Sequence, residues 1–267
     1  MLEFMSSGIR SGLRGKSFQA VLVLGVLMIA IAYLSGFFSP RQPQTVALDV
    51  GFSGVRFSLI LMNLFWVQDL VAREIDRRVI LFSLAYPVSR TAFLTGRFLA
   101  MLVLSLLATV LLGFLLLLAV LLAGSGYQQE FAVDLGLPFW ATVAGLALDA
   151  AVVGAFSICV ASLSTVSVLP LALGASFAVA GKALGATLDY FARGADGDQQ
   201  LLGIYQPVIE LIRWVVPDLS RLDWREWAMY GLPPGCETIF WSAIMAWSYI
   251  ALLLVCASLL FARREFS

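Results

Sequence analysis

The sequence predicts an all-α membrane protein with six transmembrane helices, and three observations lead to this fold class. Hydrophobic residues make up 61% of the 267 residues, well above the roughly 45–50% of an average soluble domain. Charged residues amount to only 13%. Several uncharged apolar stretches approach or exceed the roughly 20 residues that a helix needs to cross a bilayer. Together these observations indicate a multi-span helical protein with a single transmembrane domain, 1–267.

The first 17 residues predict an amphipathic helix that lies on the membrane surface. Within 1–17, apolar residues recur at steps of three and four from Leu2 to Leu13, so a helix would carry them on one face. Basic residues follow on the other positions, as in interfacial helices. A cleavable signal peptide is the alternative, but the next apolar stretch exceeds the usual 7–15 residues and further spans follow. The pattern favours a retained helix.

Six apolar stretches are predicted to span the membrane. The cluster SPRQPQ ends the first of them, and GSG ends the third. Arg56 is placed near the start of the second span and Asn63 at its middle depth. The predicted spans are 18–38, 52–70, 97–123, 138–163, 167–188 and 238–262.

The distribution of lysine and arginine predicts the orientation of these spans. Short cytoplasmic loops are enriched in these residues, and placing both termini in the cytoplasm collects most of them on that side. The short outer loops then hold little more than Arg41. We therefore expect a multi-pass protein of the cytoplasmic membrane. The basic residues predicted to be cytoplasmic are Arg10, Arg14, Lys16, Arg73, Arg77, Arg78, Arg90, Arg97, Arg263 and Arg264.

The segment 189–237 is predicted to lie outside the cytoplasm as short interfacial or re-entrant helices. It mixes apolar residues with Trp214, Trp224 and Trp227, and tryptophan prefers the membrane interface. Pro207 and Pro217 divide it. A small soluble domain is the alternative, but about 50 residues supply little core for independent folding.

The segment 71–91 concentrates charge between the second and third spans and predicts a cytoplasmic helix. Two acid-first pairs at i, i+4 support such a helix: Asp69 with Arg73, and Glu74 with Arg78. Pro87 ends it, because the residue before a proline is driven out of helical geometry. Four apolar residues step by four, four and three along one face, and they are Val71, Ile75, Val79 and Phe82.

Membrane topology alone would explain the arginines of this segment. It does not require the paired acidic residues, the apolar stripe or the proline. A helix that displays REIDRR to the cytoplasm is better suited to docking a protein. Ser89 or Thr91 is predicted to cap the third span.

The same segment resembles the signature of the ABC-2 type transporter permeases. In that family an acidic stretch leads into a PVSR-like element and then a Gly-Lys pair between the second and third spans. Here Glu74 matches the acidic position, Pro87, Ser89 and Arg90 match the element, and Gly-Arg stands at 96–97. Asp76 and its two following arginines depart from the small residues that are common in the family.

This resemblance implies a half-transporter that couples ATP hydrolysis to transport, and within this family it is expected to be an exporter. The family pairs as dimers, with a second copy or a homologous permease, and binds two cytoplasmic ABC ATPase subunits that use ATP and Mg²⁺. No cofactor would be bound by this chain itself. The residues expected to couple it to the ATPase are Arg73, Glu74, Ile75, Asp76, Arg77, Arg78, Pro87, Ser89 and Arg90.

The chain is not expected to hydrolyse ATP or to act as an enzyme. Its nearest approach to a Walker A motif is GKS at 15–17, where the glycine required at position 10 is Arg10. The absence of histidine excludes a Ser-His-Asp triad and histidine metal sites. A net charge of zero gives no indication of nucleic-acid binding. Membrane lipid is the expected surrounding partner.

Three polar residues within the spans are candidates for a translocation path, since buried polar groups in membranes are usually functional. They are Asn63, Asp149 and Lys182. Asp149 is predicted near mid-depth, while Lys182 lies close enough to the outer end of its span to snorkel. An ion pair between the two is conceivable, but their depths differ. Asn63 is expected to form a hydrogen bond between helices in a dimer.

Two other functions are weighed against the permease. An ATP-independent secondary transporter or channel would favour internal repeats and helices interrupted at mid-membrane, and no convincing repeat is present. An intramembrane enzyme would need a nucleophile or paired catalytic acids within the spans. Neither pattern occurs in the sequence.

Overall fold

The computed structural model describes residues 2–76, 90–124, 132–164, 166–192 and 217–263. All regular secondary structure in these ranges is helical. A single-turn 3₁₀ helix, Leu219–Leu222, precedes α8. The α-helices are α1 (Leu2–Arg14), α2 (Lys16–Phe37), α3 (Pro43–Val67), α4 (Arg73–Asp76), α5 (Arg90–Ala123), α6 (Leu137–Leu163), α7 (Leu169–Ala192), α8 (Arg225–Tyr230) and α9 (Cys236–Arg263).

Five helices are long and apolar enough to cross a membrane: α2, α3 with its extension to Ala72, α5 from Thr91, α6 and α9. They correspond to the first, second, third, fourth and last predicted spans. The predicted fifth span, 167–188, coincides with α7, whose apolar part Leu169–Gly185 is shorter than the others. The described residues therefore form an all-helical fold with five helices able to span a membrane, while the count of six spans stays a prediction.

Helix α3 begins nine residues earlier than the predicted second span and does not stop where that span stops. Pro43 lies in its first turn, where a residue without an N–H group costs no helical hydrogen bond. A π-helical turn, Gln68–Ala72, then joins α3 directly to α4. The result is one unbroken helical segment from Pro43 to Asp76.

The bundle has two ends, which we name by the two ends of this long helix. The Pro43 end also carries the C-terminal end of α2 and α5 and the start of α6 and α9. The Ala72 end carries α1, α4, the start of α5 and the end of α9. Aromatic contacts join these elements, because the Phe93 ring packs edge-on against Phe4 at 5.6 Å and stacks on Phe261 at 6.2 Å.

Helix α1 packs closely on α5 at the Ala72 end. A Cβ atom at Gly8 would lie 2.8 Å from the Cβ of Ala100, and one at Gly12 would lie 2.4 Å from Leu104. The Trp66 indole Nε1 donates a hydrogen bond of 3.4 Å to the Gly12 carbonyl. The predicted amphipathic helix therefore rests against the protein with its glycine face, while Arg10 and Arg14 are exposed.

The Pro43 end is covered by residues 217–230, which we call the cap segment. Leu219 and Leu222 are buried in the core, and the Asp134 amide donates to the Ala228 carbonyl at 3.0 Å. The cap segment belongs to the predicted interfacial stretch 189–237, of which 189–192 and 217–237 are described. Residues 193–216, including Trp214 and Pro207, lie outside the described ranges.

Gly145 on α6 permits a close approach of the cap-segment backbone. A Cβ atom at this position would lie 2.2 Å from the Leu222 carbonyl oxygen, a backbone atom that cannot rotate away. We expect Gly145→Ala to lower the free energy of unfolding by about 1–3 kcal/mol, the usual cost of overpacking. Denaturant titration in detergent measures this change.

Gly235→Ala is the matched control, since the nearest atom to a Cβ there is 3.6 Å away. Its unfolding free energy should stay within about 0.5 kcal/mol of wild type. Equal stability of the two variants would contradict the close packing of the cap segment on α6.

Candidate functional site

A cavity of about 790 Å³ lies between α3, α7 and the cap segment, and we call it the α3–α7 cavity. Its charged lining extends from Arg56, near the middle of the helical segment Pro43–Ala72, to the cap segment at the Pro43 end, and its apolar lining continues from the middle toward the Ala72 end. The charged residues that line it are Arg56, Lys182, Asp223, Arg225 and Glu226. Such a volume is typical of small-molecule sites.

Arg56 forms an ion pair with Asp149 behind this cavity. The Arg56 Nε donates to Asp149 Oδ2, and the side chains are 16% and 2% exposed respectively. Arg56 lies thirteen residues after Pro43, about 20 Å along the helix axis, so it is deep in the bundle and not near the start of its span as the sequence pattern predicts. The partner of Asp149 is therefore Arg56 rather than Lys182.

This pair leaves two polar atoms unsatisfied. Arg56 Nη2 and Asp149 Oδ1 are buried without a hydrogen-bond partner in the described part of the chain. Unsatisfied buried groups cost about 1–3 kcal/mol each, and more when charged.

Lys182 and Arg225 both bind Asp223, which belongs to the cap segment. The Lys182 ammonium pairs with Asp223 Oδ2, and Arg225 Nε donates to the same carboxylate at 2.9 and 3.0 Å. Arg225 Nη1 also donates to Asp49 Oδ1 at 2.7 Å. These bonds attach the cap segment to α3 and α7. The Lys182 side chain therefore reaches the Pro43 end, in the direction that snorkelling predicts.

The titration of Asp223 follows from these contacts. Burial acts to raise the pKa of this carboxyl, but the hydrogen bonds and charges of Arg225 and Lys182 outweigh it and hold the pKa below its usual range. The pKa of Arg225 is raised: burial lowers it, and the hydrogen bonds and charges of Asp223 and Asp49 outweigh that effect. Both groups therefore remain charged at neutral pH.

Asn63 lies away from the cavity, in the contact between α3 and α5. It is fully buried, and its Nδ2 donates to Ser105 Oγ at 3.0 Å and to the Leu59 carbonyl at 2.9 Å. The structure thus supplies an interhelical hydrogen bond within one chain. Of the three predicted path residues, only Lys182 lines the cavity, and Asp149 reaches it through Arg56.

A second polar cluster links α4 to α5 at the Ala72 end. Arg97 on α5 is 7% exposed and its Nη2 donates to Glu74 Oε1 on α4 at 2.5 Å. Arg97 also lies over the Phe93 ring, 5.5 Å from its centroid. This contact holds α4 and α5, the helices that precede and follow residues 77–89, against each other. We call it the Glu74–Arg97 clasp.

Asp69 links the clasp region to α2. The predicted i, i+4 pair is present, with Arg73 Nη1 donating to Asp69 Oδ1 at 2.5 Å, and Ser17 Oγ donates to Asp69 Oδ2 at 2.9 Å. The predicted partner of Glu74, Arg78, lies outside the described residues. So do three other predicted coupling residues: Arg77, Pro87 and Ser89.

Ile75 and Asp76 end α4, and Arg90 begins α5. The clasp therefore sits directly beside the predicted coupling residues. Burial raises the pKa of Glu74, and the charge and hydrogen bond of Arg97 oppose this without cancelling it.

The chain matches no family model and no curated protein. Among the described residues, no group of three or more His, Cys, Asp or Glu side chains is placed to hold a metal ion. The functional argument therefore rests on the two polar clusters.

Sequence reasoning missed the roles of Arg56, Arg97 and Arg225. Arg56 and Asp149 are opposite charges in two apolar stretches, and this pattern can indicate an ion pair. The predicted start of the second span at 52 placed Arg56 too close to the membrane surface for that contact, whereas α3 begins at Pro43. The sequence predicts Arg97 to be a cytoplasmic basic residue within the Gly-Arg pair, but it does not indicate Glu74 as its partner. Nothing in the spacing of Arg225 indicates that it contacts Asp49, 176 positions earlier.

Separating Arg56 from Asp149 should destabilise the bundle strongly. Arg56→Gln or Asp149→Asn leaves one buried charge without its partner, at a cost of about 3–5 kcal/mol. The double variant leaves no such charge, so we expect it to lose less than the sum of the two single variants. Unfolding free energies in a double-mutant cycle measure this coupling.

Arg73→Gln is the control for a half-exposed pair on the same helical segment, and it should cost under about 1 kcal/mol. Additive losses at Arg56 and Asp149 would contradict the buried ion pair.

Lowering the pH should stabilise the wild type relative to Glu74→Gln. Since the folded-state pKa of Glu74 is raised above 4.5, the folded protein binds this proton more readily than the unfolded chain. The stabilisation that protonated Glu74 contributes is therefore fully present below pH 4.5, and it is lost as the pH rises through the folded-state pKa. Melting temperatures recorded between about pH 4.5 and 7 measure the difference.

Glu237→Gln is the control for removing an exposed carboxylate, at the start of α9. A constant difference between wild type and Glu74→Gln across the window would contradict the burial of Glu74.

Proposed function

We propose that this chain is the permease subunit of an ATP-driven ABC-2 type transporter, which exports its cargo with energy from a separate ATPase subunit. One observation carries the proposal: the unbroken helix from Pro43 to Asp76 is clasped to α5 by Glu74 and Arg97. The same stretch bears the signature that resembles this family. Two unrelated properties thus support a coupling role for one segment.

The mechanical argument follows from helix continuity. A helix resists bending, so a force applied at 73–90 is transmitted along α3, whereas a loose loop would absorb it. The clasp joins α4 to α5, so α3 and α5 would move together. The π-helical turn at Gln68–Ala72 lies where the segment leaves the apolar span, and such turns are frequent at functional sites.

The orientation and partners belong to the same proposal. The Ala72 end carries the described basic residues of the predicted cytoplasmic side, which are Arg10, Arg14, Lys16, Arg73, Arg90, Arg97 and Arg263. Both termini would therefore lie in the cytoplasm of a cell with this protein in its inner membrane. In a dimer of permeases, two ATPase subunits would dock, one at the segment 73–90 of each permease. The charged side of the α3–α7 cavity would then face the outer surface of the membrane.

An ATP-independent transporter or channel is the second candidate. The observation that favours it is the buried Arg56–Asp149 pair, since ionisable residues inside spans often mark ion or proton pathways. The two candidates differ in their need for an ATPase, which makes them separable by experiment.

The tagged full-length chain, purified from its native membrane in mild detergent, should carry an ATPase subunit with a Walker A motif. We expect Glu74→Arg to lower ATP hydrolysis by this complex about tenfold, the equivalent of one charge-assisted hydrogen bond. Glu74→Arg combined with Arg97→Glu restores opposite charges and should recover the activity. Membrane insertion should be unchanged in all variants.

Arg14→Glu is the control, because Arg14 is exposed on α1. Charge reversal at Arg77 and Arg78 should weaken the association with the ATPase instead of its activity. Purification without any ATPase would overturn the permease and leave the ATP-independent transporter.

A further inference from the structure

Helices α1 and α2 meet at Gly15, and three basic residues surround this junction, which we call the α1–α2 elbow. Arg10, Arg14 and Lys16 are exposed and form no ion pair among the described residues. The glycine face of α1 rests on α5, so Arg10 and Arg14 lie on the side of α1 that points away from the bundle. The proposed coupling contact between α4 and α5 uses none of these three cations.

The carboxylates beside the elbow are already neutralised by other residues. Asp69 and Glu74 line a surface depression together with Lys16. Arg73 binds Asp69, and Arg97 binds Glu74. The described side chains of this surface therefore carry an excess of positive charge, and an anion that approaches the elbow does not have to displace a carboxylate.

Lys16 lies at the depth where the apolar core of a membrane begins. It is the first residue of α2, whose 22 residues form one of the apolar spans. A helix of this length extends about 33 Å, close to the roughly 30 Å of a hydrocarbon core. The ammonium group of Lys16 is therefore placed at the level of lipid headgroups.

An exposed apolar stripe continues from Lys16 along α2. Val23 and Leu27 follow Lys16 by seven and eleven residues, so all three lie within about 20° of one helix face. Val23 is 59% exposed and Leu27 is 54% exposed, at about 10 and 16 Å from Lys16 along the helix axis. The opposite face of α2, which includes Gly25, packs into the bundle. A cation followed by an apolar stripe matches the order of headgroup and acyl chain in a phospholipid.

A lipid fits this arrangement better than an acidic protein does. A protein that docks from the aqueous side could neutralise Lys16, but it would not reach Val23 and Leu27, which lie within the span. One molecule satisfies both the cation and the stripe when it combines an anionic headgroup with an apolar chain.

We propose that the α1–α2 elbow binds an anionic phospholipid, with its phosphate at Lys16 and one acyl chain along Val23 and Leu27. Arg10 and Arg14 add positive charge that attracts anionic headgroups toward this surface. The site is formed by α1 and α2, so it does not depend on the permease function.

The test uses the full-length chain in nanodiscs that mix phosphatidylglycerol with phosphatidylcholine. Lipid that remains bound after transfer to neutral detergent is identified by native mass spectrometry. Wild type should retain phosphatidylglycerol over phosphatidylcholine about tenfold, and Lys16→Gln should lower this ratio about fivefold, the usual loss for one cation near an anionic membrane surface. Lys16→Arg keeps the charge and should keep the preference.

Two controls separate the elbow from general effects of charge. Arg41→Gln removes an exposed cation beyond the other end of α2, and its lipid ratio should equal that of wild type. Glycerol 3-phosphate carries the anionic group without acyl chains. It should displace no more phosphatidylglycerol than a chloride solution of the same ionic strength does.

Equal ratios for Lys16→Gln and Arg41→Gln would overturn the proposal, and so would equal retention of the two lipids by wild type. Displacement by glycerol 3-phosphate would also overturn it, because the elbow would then recognise an anion without a chain. Loss of a co-purified acidic protein from Lys16→Gln, with an unchanged lipid ratio, would assign the surface to a protein partner instead. No ATP or ATPase enters the lipid measurement, so failure of the permease proposal would leave its result unaffected.

Discussion

The pairing of Arg56 with Asp149 constrains the centre of this bundle more than any other contact among the described residues. A charge in an apolar interior is tolerated when its partner is fixed beside it. Since one residue lies on α3 and the other on α6, their contact sets how these two helices align along their axes. The cap segment and α7 then pack on the pair, and the cavity is the space that remains between them.

At both ends of the bundle a largely buried charge is paired with an opposite charge, but the pairs join different elements. At the Pro43 end, Asp223 binds Lys182 and Arg225, and this anchors a segment without long helices to two spans. At the Ala72 end, Glu74 binds Arg97 and closes the connection between α4 and α5. The Pro43 end thus encloses the α3–α7 cavity, and the Ala72 end holds α4 against α5.

Local sequence pattern was sufficient for the parts of the structure that depend on neighbours along the chain. The apolar stretches predict helices because every backbone polar group in lipid must be satisfied within its own segment. The spacing of Asp69 and Arg73 predicts their contact, which the structure contains. Boundaries were less well predicted: the second span was predicted over 52–70, yet α3 begins at Pro43. The cap segment binds Asp49 within the additional stretch.

By itself, then, the sequence determined an all-helical membrane protein, the positions of five apolar spans and the charged segment after α3. Only the tertiary structure decided that Asp149 pairs with Arg56 and not Lys182, and that Glu74 meets Arg97 across the 77–89 connection. The reason is geometric. Each helical residue turns the chain by about 100°, so a contact between two helices depends on their mutual rotation and axial alignment, and hydrophobic periodicity contains neither.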